Sequence, residues 1–130
     1  MSVMGHMGYI EIVARADCAH LEEKERTYRG SWKRRGGVGA FMMLARKWDR
    51  LEAILEAAPR QYDIIGLAVS ESVDGGTIIM GQEGSLLDQI GDLRRYLLLV
   101  EAEVMSQIEN RTGMRPGTPE DGGHHARQQD

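Results

Sequence analysis

Aromatic side chains are scarce in this chain of 130 residues: two Trp, four Tyr and one Phe make up 5% of it. Aliphatic residues and eight Met must therefore fill whatever core it has. Cys18 is the one cysteine, so no internal disulfide is possible and a reducing, cytoplasmic setting fits. Proline is limited to three positions, which leaves long stretches free to be helical. No apolar run approaches the roughly 20 residues that span a bilayer, and no membrane partner is expected. The first residues, MSVMGHMGYIEIVARAD, lack the basic and apolar segments of a secretory signal. The net charge of −4 argues against sequence-blind binding to nucleic acid. Hydrophobic residues at 42% and charged residues at 28% are an ordinary globular balance, enough for one domain.

Apolar spacing supplies three long helices. One runs from about Tyr9 to Tyr28, with Val13, Ala16 and Leu21 on its apolar side and Gly30 placed to end it. A second runs from about Val38 to Ala58. There Val38, Phe41, Met42, Ala45, Trp48, Leu51 and Leu55 step by three and four, and Pro59 stops the helix. A third runs from about Ser85 to Asn110 on Leu86, Ile90, Leu93, Leu97, Val100, Val104 and Ile108. Between the second and third, YDIIGLAVSES is a short helix or a strand, which periodicity does not decide at this length, with the helix favoured; VDGGTIIMG is an irregular or hairpin segment turning at Asp74-Gly75-Gly76. The expected fold is an all-α bundle of three main helices with a short, partly β insertion. Residues 1–110 would form the domain and 111–130 a loose tail. Extra apolar surface on the third helix, at Leu87, Tyr96, Leu98 and Leu99, is wider than one neighbour covers. A homodimer or homotetramer is the expectation.

Two pairs of acids stand out. Asp49 and Glu52 lie three apart on the second helix, and Asp88 and Asp92 four apart on the third. If the two helices pack antiparallel, four carboxylates could converge, which is the oxygen-rich donor set that Mg²⁺ or Mn²⁺ takes. Each acid also has an ordinary explanation. Ser85 to Asp88 has the spacing of a capping box, Asp92 can pair with Arg95, and Asp49 with Arg46. The segment SWKRRGGVGAF puts Lys33, Arg34 and Arg35 before glycines that open a helix, an arrangement that favours phosphate; an exposed basic turn is the plainer reading. Lys47, Arg50, Arg94 and Arg95 could neutralise a polyphosphate or simply alternate charge along exposed helices. Trp32 is a base-stacking candidate or a core plug. Cys18 lacks an activating neighbour and reads as a buried structural thiol. His6, His20, His124 and His125 have no zinc-site context, and His124-His125 reads as bystander sequence in the tail.

ERTYRGSWKRRGGVGAFMMLARKWDRLEAIL and LLDQIGDLRRYLLLVEAEV together resemble the MazG-like all-α nucleoside triphosphate pyrophosphohydrolase superfamily. The nearest likeness is to its phage nucleotide-modification branch, the MazZ type found in phages that replace adenine with 2-aminoadenine. The pieces Y-x-G-S-W, K-W-D-R-L and D-x-x-x-D-L-x-x-Y-L-L carry the resemblance. It implies a metal-dependent hydrolase in a cytoplasm (the host's, if phage-encoded) that converts a (d)NTP, with dGTP or GTP favoured, to the monophosphate and pyrophosphate. It further implies that Asp49, Glu52, Asp88 and Asp92 hold Mg²⁺ or Mn²⁺, with Trp32, Lys33, Lys47, Arg50 and Arg95 on the substrate. Three features depart from the superfamily pattern. Gln89 stands where a ligating glutamate would fall, and Arg26 stands where the first helix would need a third glutamate. Glu52 and Asp88 are 36 positions apart, longer than usual. The alternative is a non-catalytic helical interaction or nucleotide-binding module whose acids are ion pairs.

Overall fold

The structure, a computed structural model, describes residues 4–117. Helix α1 spans His6–Tyr28, α2 Gly36–Glu56, α3 Ile64–Ser72 and α4 Leu86–Thr112. A single 3₁₀ turn, Ser31–Lys33, joins α1 to α2. The antiparallel pair β1 (Val73–Asp74) and β2 (Thr77–Ile78) follows α3. The protein is mostly helical with a short β insertion, as the sequence predicts. The 60–84 segment is the expected short helix followed by a hairpin. The helix expected to end near Asn110 continues to Thr112, where Gly113, at φ 72°, closes it. Beyond residue 117 the tail, His124-His125 included, lies outside the described residues.

Local chemistry explains the boundaries. Arg29 and Gly30 both take the left-handed conformation, so the chain turns sharply out of α1. Asp63 caps α3 by accepting a hydrogen bond from the Gly66 amide at 2.9 Å. Ser85 and Asp88 form the predicted box at the start of α4. The Asp88 amide donates to Ser85 Oγ at 3.2 Å, and Asp88 Oδ2 accepts from the Gly84 amide at 2.8 Å. Glu71 on α3 satisfies one more free amide there, accepting from Leu86 N at 2.8 Å.

The chain divides into two compact units at Tyr96/Leu97, and α4 continues through the division. In the first unit the core is Leu51 and Leu55 of α2, Ala68 of α3 and the fully buried Leu86 of α4, with Ile54, Leu67, Leu87, Ile90 and Leu93 against it. Burying a Leu is worth about 1.5–3 kcal/mol, so these few side chains hold α2, α3 and α4 together. In the second unit Leu97, Val104 and Ile108 of α4 continue its apolar stripe but are exposed.

Two expectations are corrected. The apolar series on α2 does not share one buried face. Val38 and Leu51 are thirteen residues apart, about 220° around a helix with 3.6 residues per turn, so the stripe winds. Leu51 and Leu55 face the core, while Val38, Phe41, Met42 and Trp48 are exposed. Cys18, expected to be buried, is exposed. The buried residue beside it is Asp17, at 1% exposure the one buried side chain of α1 among the described residues.

Candidate functional site

Asp17 is buried because arginines meet it. Arg94 donates through Nε to Asp17 Oδ2 and through Nη2 to Oδ1 (2.8 Å), and Arg95 Nη1 reaches Oδ1 at 3.2 Å. This is the bidentate geometry that makes guanidinium–carboxylate pairs strong. Arg95 also donates to Asp92 Oδ1 at 3.0 Å, and Lys47 Nζ donates to Asp92 Oδ2 at 3.0 Å. The result is one chain of charge, Arg94–Asp17–Arg95–Asp92–Lys47, that ties α1, α4 and α2 together. Three cations meet two carboxylates, so the cluster carries a formal surplus of one positive charge.

The titration behaviour follows. Hydrogen bonding from Arg94 outweighs burial and holds Asp17 below the ordinary carboxylate range. Burial alone would raise Asp92, but the hydrogen bonds and charges of Lys47 and Arg95 bring it below the ordinary value. Asp17 in turn raises Arg94. His20 is lowered by burial first, and then by the charges of Arg95 and Lys24.

Gly91 has a structural reason to lack a side chain. A Cβ there would stand 2.9 Å from Arg95 Nη1, so the guanidinium rests against bare backbone. Gln89 is buried one turn before Asp92, and its Oε1 has no hydrogen-bond partner.

The sequence candidates are dispersed. Asp92, Lys47 and Arg95 come together as described, and the predicted Asp92–Arg95 pair is present. Asp88 caps α4, its ordinary role. Asp49 and Glu52 are exposed on α2. Asp49 lies two residues from Lys47, about 200° around the helix, and so faces away from Asp92. The suggested Asp49–Arg46 pair is not formed among the described residues, and Arg50 is exposed. Trp32 is half-buried in the 3₁₀ turn beside an exposed Lys33. Among the described residues no three His, Cys, Asp or Glu side chains are grouped to share a cation. Within one chain the donor set does not fit Mg²⁺ or Mn²⁺, since Asp92 is occupied by two cations and the α2 acids face elsewhere.

A groove of about 490 Å³ lies where the end of α3 meets the hairpin and Ser85, with Glu71, Asp74 and Glu83 on its walls. It shares no lining residue with the charge cluster.

Asp17 is the site residue that sequence reasoning missed. A signal was present: Val13, Asp17 and Leu21 are spaced by four, which sets an acid in the middle of an apolar face. An acid there needs a buried cation as partner. Compared with known proteins, the chain matches no family model, no curated protein and no solved structure.

Proposed function

We propose that the protein handles nucleotide phosphates, as a pyrophosphohydrolase that splits a (d)NTP, with dGTP or GTP favoured, into the monophosphate and pyrophosphate. The observation that carries this reading is the Lys47–Asp92–Arg95 contact. It sets an ammonium and a guanidinium from two helices on either side of one partly exposed carboxylate. Arg95 is a planar fork suited to phosphate oxygens and Lys47 a compact charge. With the cluster one positive charge in surplus, a phosphate entering beside Asp92 meets net attraction. Gly91, bare of a side chain, lets the Arg95 guanidinium lie flat against the α4 backbone. Lys33, Arg50 and Trp32, carried over from the resemblance, would serve the remainder of the nucleotide. A divalent ion, expected from the same resemblance, supplies phosphate polarisation and a more acidic water when bound. Asp49, Glu52, Asp88 and Asp92, which would hold it, are not brought together among the described residues.

The test is a panel of all the (d)NTPs with pyrophosphate detection, on wild type, Lys47→Met and Asp92→Asn. Turnover confined to wild type, with all three proteins equally helical, supports the reading. No pyrophosphate from any nucleotide sinks it.

A second reading is favoured by a specific observation: Asp88 and Asp92 are each engaged in ordinary cap or ion-pair contacts. On that reading the cluster is a structural clamp and the chain a helical interaction module. A homo-oligomer and a cytoplasmic setting belong to either reading.

A further inference from the structure

The face of α2 that turns away from the core is ordered by charge along its length. Arg34 and Arg35 stand at its start, and Asp49, Glu52 and Glu56 at its end, all exposed. None of these side chains has an ion pair or side-chain hydrogen bond among the described residues. Between the charged ends lies an apolar centre: Val38 (78% exposed), Phe41 (65%), Met42 (55%) and Trp48 (52%), around the small Ala45. At 100° per residue, all of these from Val38 onward fall within roughly a third of the helix circumference.

That charge order is the reverse of what a lone helix prefers. Acids belong at the N-terminus and bases at the C-terminus, where they oppose the helix dipole. Helix α2 has no acid in its first turn and no base in its last. A second α2 laid antiparallel would supply both, with its Glu52 and Glu56 beside Arg34 and Arg35, and its own arginines at the acidic end. Its Ala45 would cross Ala45 at the centre, where small side chains allow helix axes to come within about 8–10 Å. A parallel arrangement would set like charge against like.

The exposed area is also right. Phe41 and Trp48, at 65% and 52% exposure, offer on the order of 250 Å² per copy out of the roughly 150–250 Å² each aromatic side chain can bury. Val38 and Met42 roughly double that, and the charged rim brings the face close to the ~800 Å² per partner of a standard interface.

We infer that α2 is the seat of a second copy of this chain, packed antiparallel about a two-fold axis at Ala45, with an apolar centre and two reciprocal Arg–Glu rims. This inference is independent of nucleotide hydrolysis. It gives Asp49 and Glu52 a place at a subunit boundary.

The test uses two charge-reversed full-length variants, Arg34→Glu/Arg35→Glu and Glu52→Arg/Glu56→Arg, with light scattering at tens of micromolar. Wild type should have at least twice the 14.5 kDa chain mass. Each variant alone should associate at least 10-fold more weakly. An equimolar mixture should recover wild-type association, because each variant then meets the charge it lacks. The first variant places acids where a single helix favours them, so its loss of association is not a loss of fold, and recovery on mixing shows that both are folded. Trp48→Glu should be monomeric with unchanged helix content. A monomeric wild type overturns the inference. So does unchanged self-association of the variants, failure of the mixture to recover, or a dimer that survives Trp48→Glu and is broken by Leu97→Glu.

Discussion

Asp17 shows how a charged side chain can be the anchor of a helix. Removing it strands Arg94 and Arg95 in a partly dry contact, and breaking a buried pair from one side costs about 3–5 kcal/mol. Asp17→Asn is therefore expected to lower stability in urea far more than the exposed neighbouring change Cys18→Ser, which should cost under about 0.5 kcal/mol. Acid should act in the same way. The folded-state pKa of Asp17 is depressed from its ordinary 3.8, so the stability it contributes is fully present above that value and is lost as pH falls through it toward the folded pKa. Asp92, also depressed, adds to the loss in the same window. An acid titration followed by circular dichroism should show wild type weakening below about pH 4, while Asp17→Asn is already weak at neutral pH and changes less. At Lys47, substitution by Met removes one of the two cations on Asp92. The Asp92 pKa, read by NMR, should rise.

At the scale of elements, what the sequence revealed depended on how far one helical stripe had to be followed. The four elements of the all-α fold, the hairpin and the Ser85–Asp88 cap are all set by local chemistry: periodicity, glycine at positive φ, and a side chain three residues from an amide. Which face of a helix is buried is not local. The α2 stripe winds, so Leu51 and Leu55 enter the core while Trp48, three residues away from Leu51, remains exposed. The candidate site was legible in part for the same reason. Arg95 beside Asp92 is an i, i+3 relation and was readable, but Lys47 on Asp92 spans 45 positions and Arg94 on Asp17 spans 77. The expected meeting of four carboxylates required Asp49 to face Asp92, but Lys47 holds that place, and Asp49, two residues on and about 200° round the helix, points away. The core makes its own prediction. Leu86 is fully buried where α2, α3 and α4 meet, so Leu86→Ala should cost about 2–5 kcal/mol, measured by chemical denaturation.

For the whole molecule, ligands should report on the proposed function through thermal stability. A rise in the melting midpoint with Mn²⁺ would support the proposed hydrolase, and no shift at millimolar metal, with or without nucleotide, would favour the interaction module. A triphosphate that binds Lys47 and Arg95 should raise the midpoint, by about 2.7 kcal/mol of stability at a hundred times its Kd. A rise with Mn²⁺ alone would indicate ligands assembled otherwise than among the described residues of one chain, such as between copies. The anchoring of α1 also gives the molecule two kinds of cohesion with different responses to temperature. Apolar burial carries a large heat-capacity change and weakens in the cold. The grip on α1 is chiefly electrostatic, since its one buried side chain is Asp17. Undocking α1 should uncover little hydrocarbon and so have a nearly temperature-independent enthalpy. In the cold the Leu51–Leu86 core should loosen before the hold on α1 does, and concentrated salt should reverse that order.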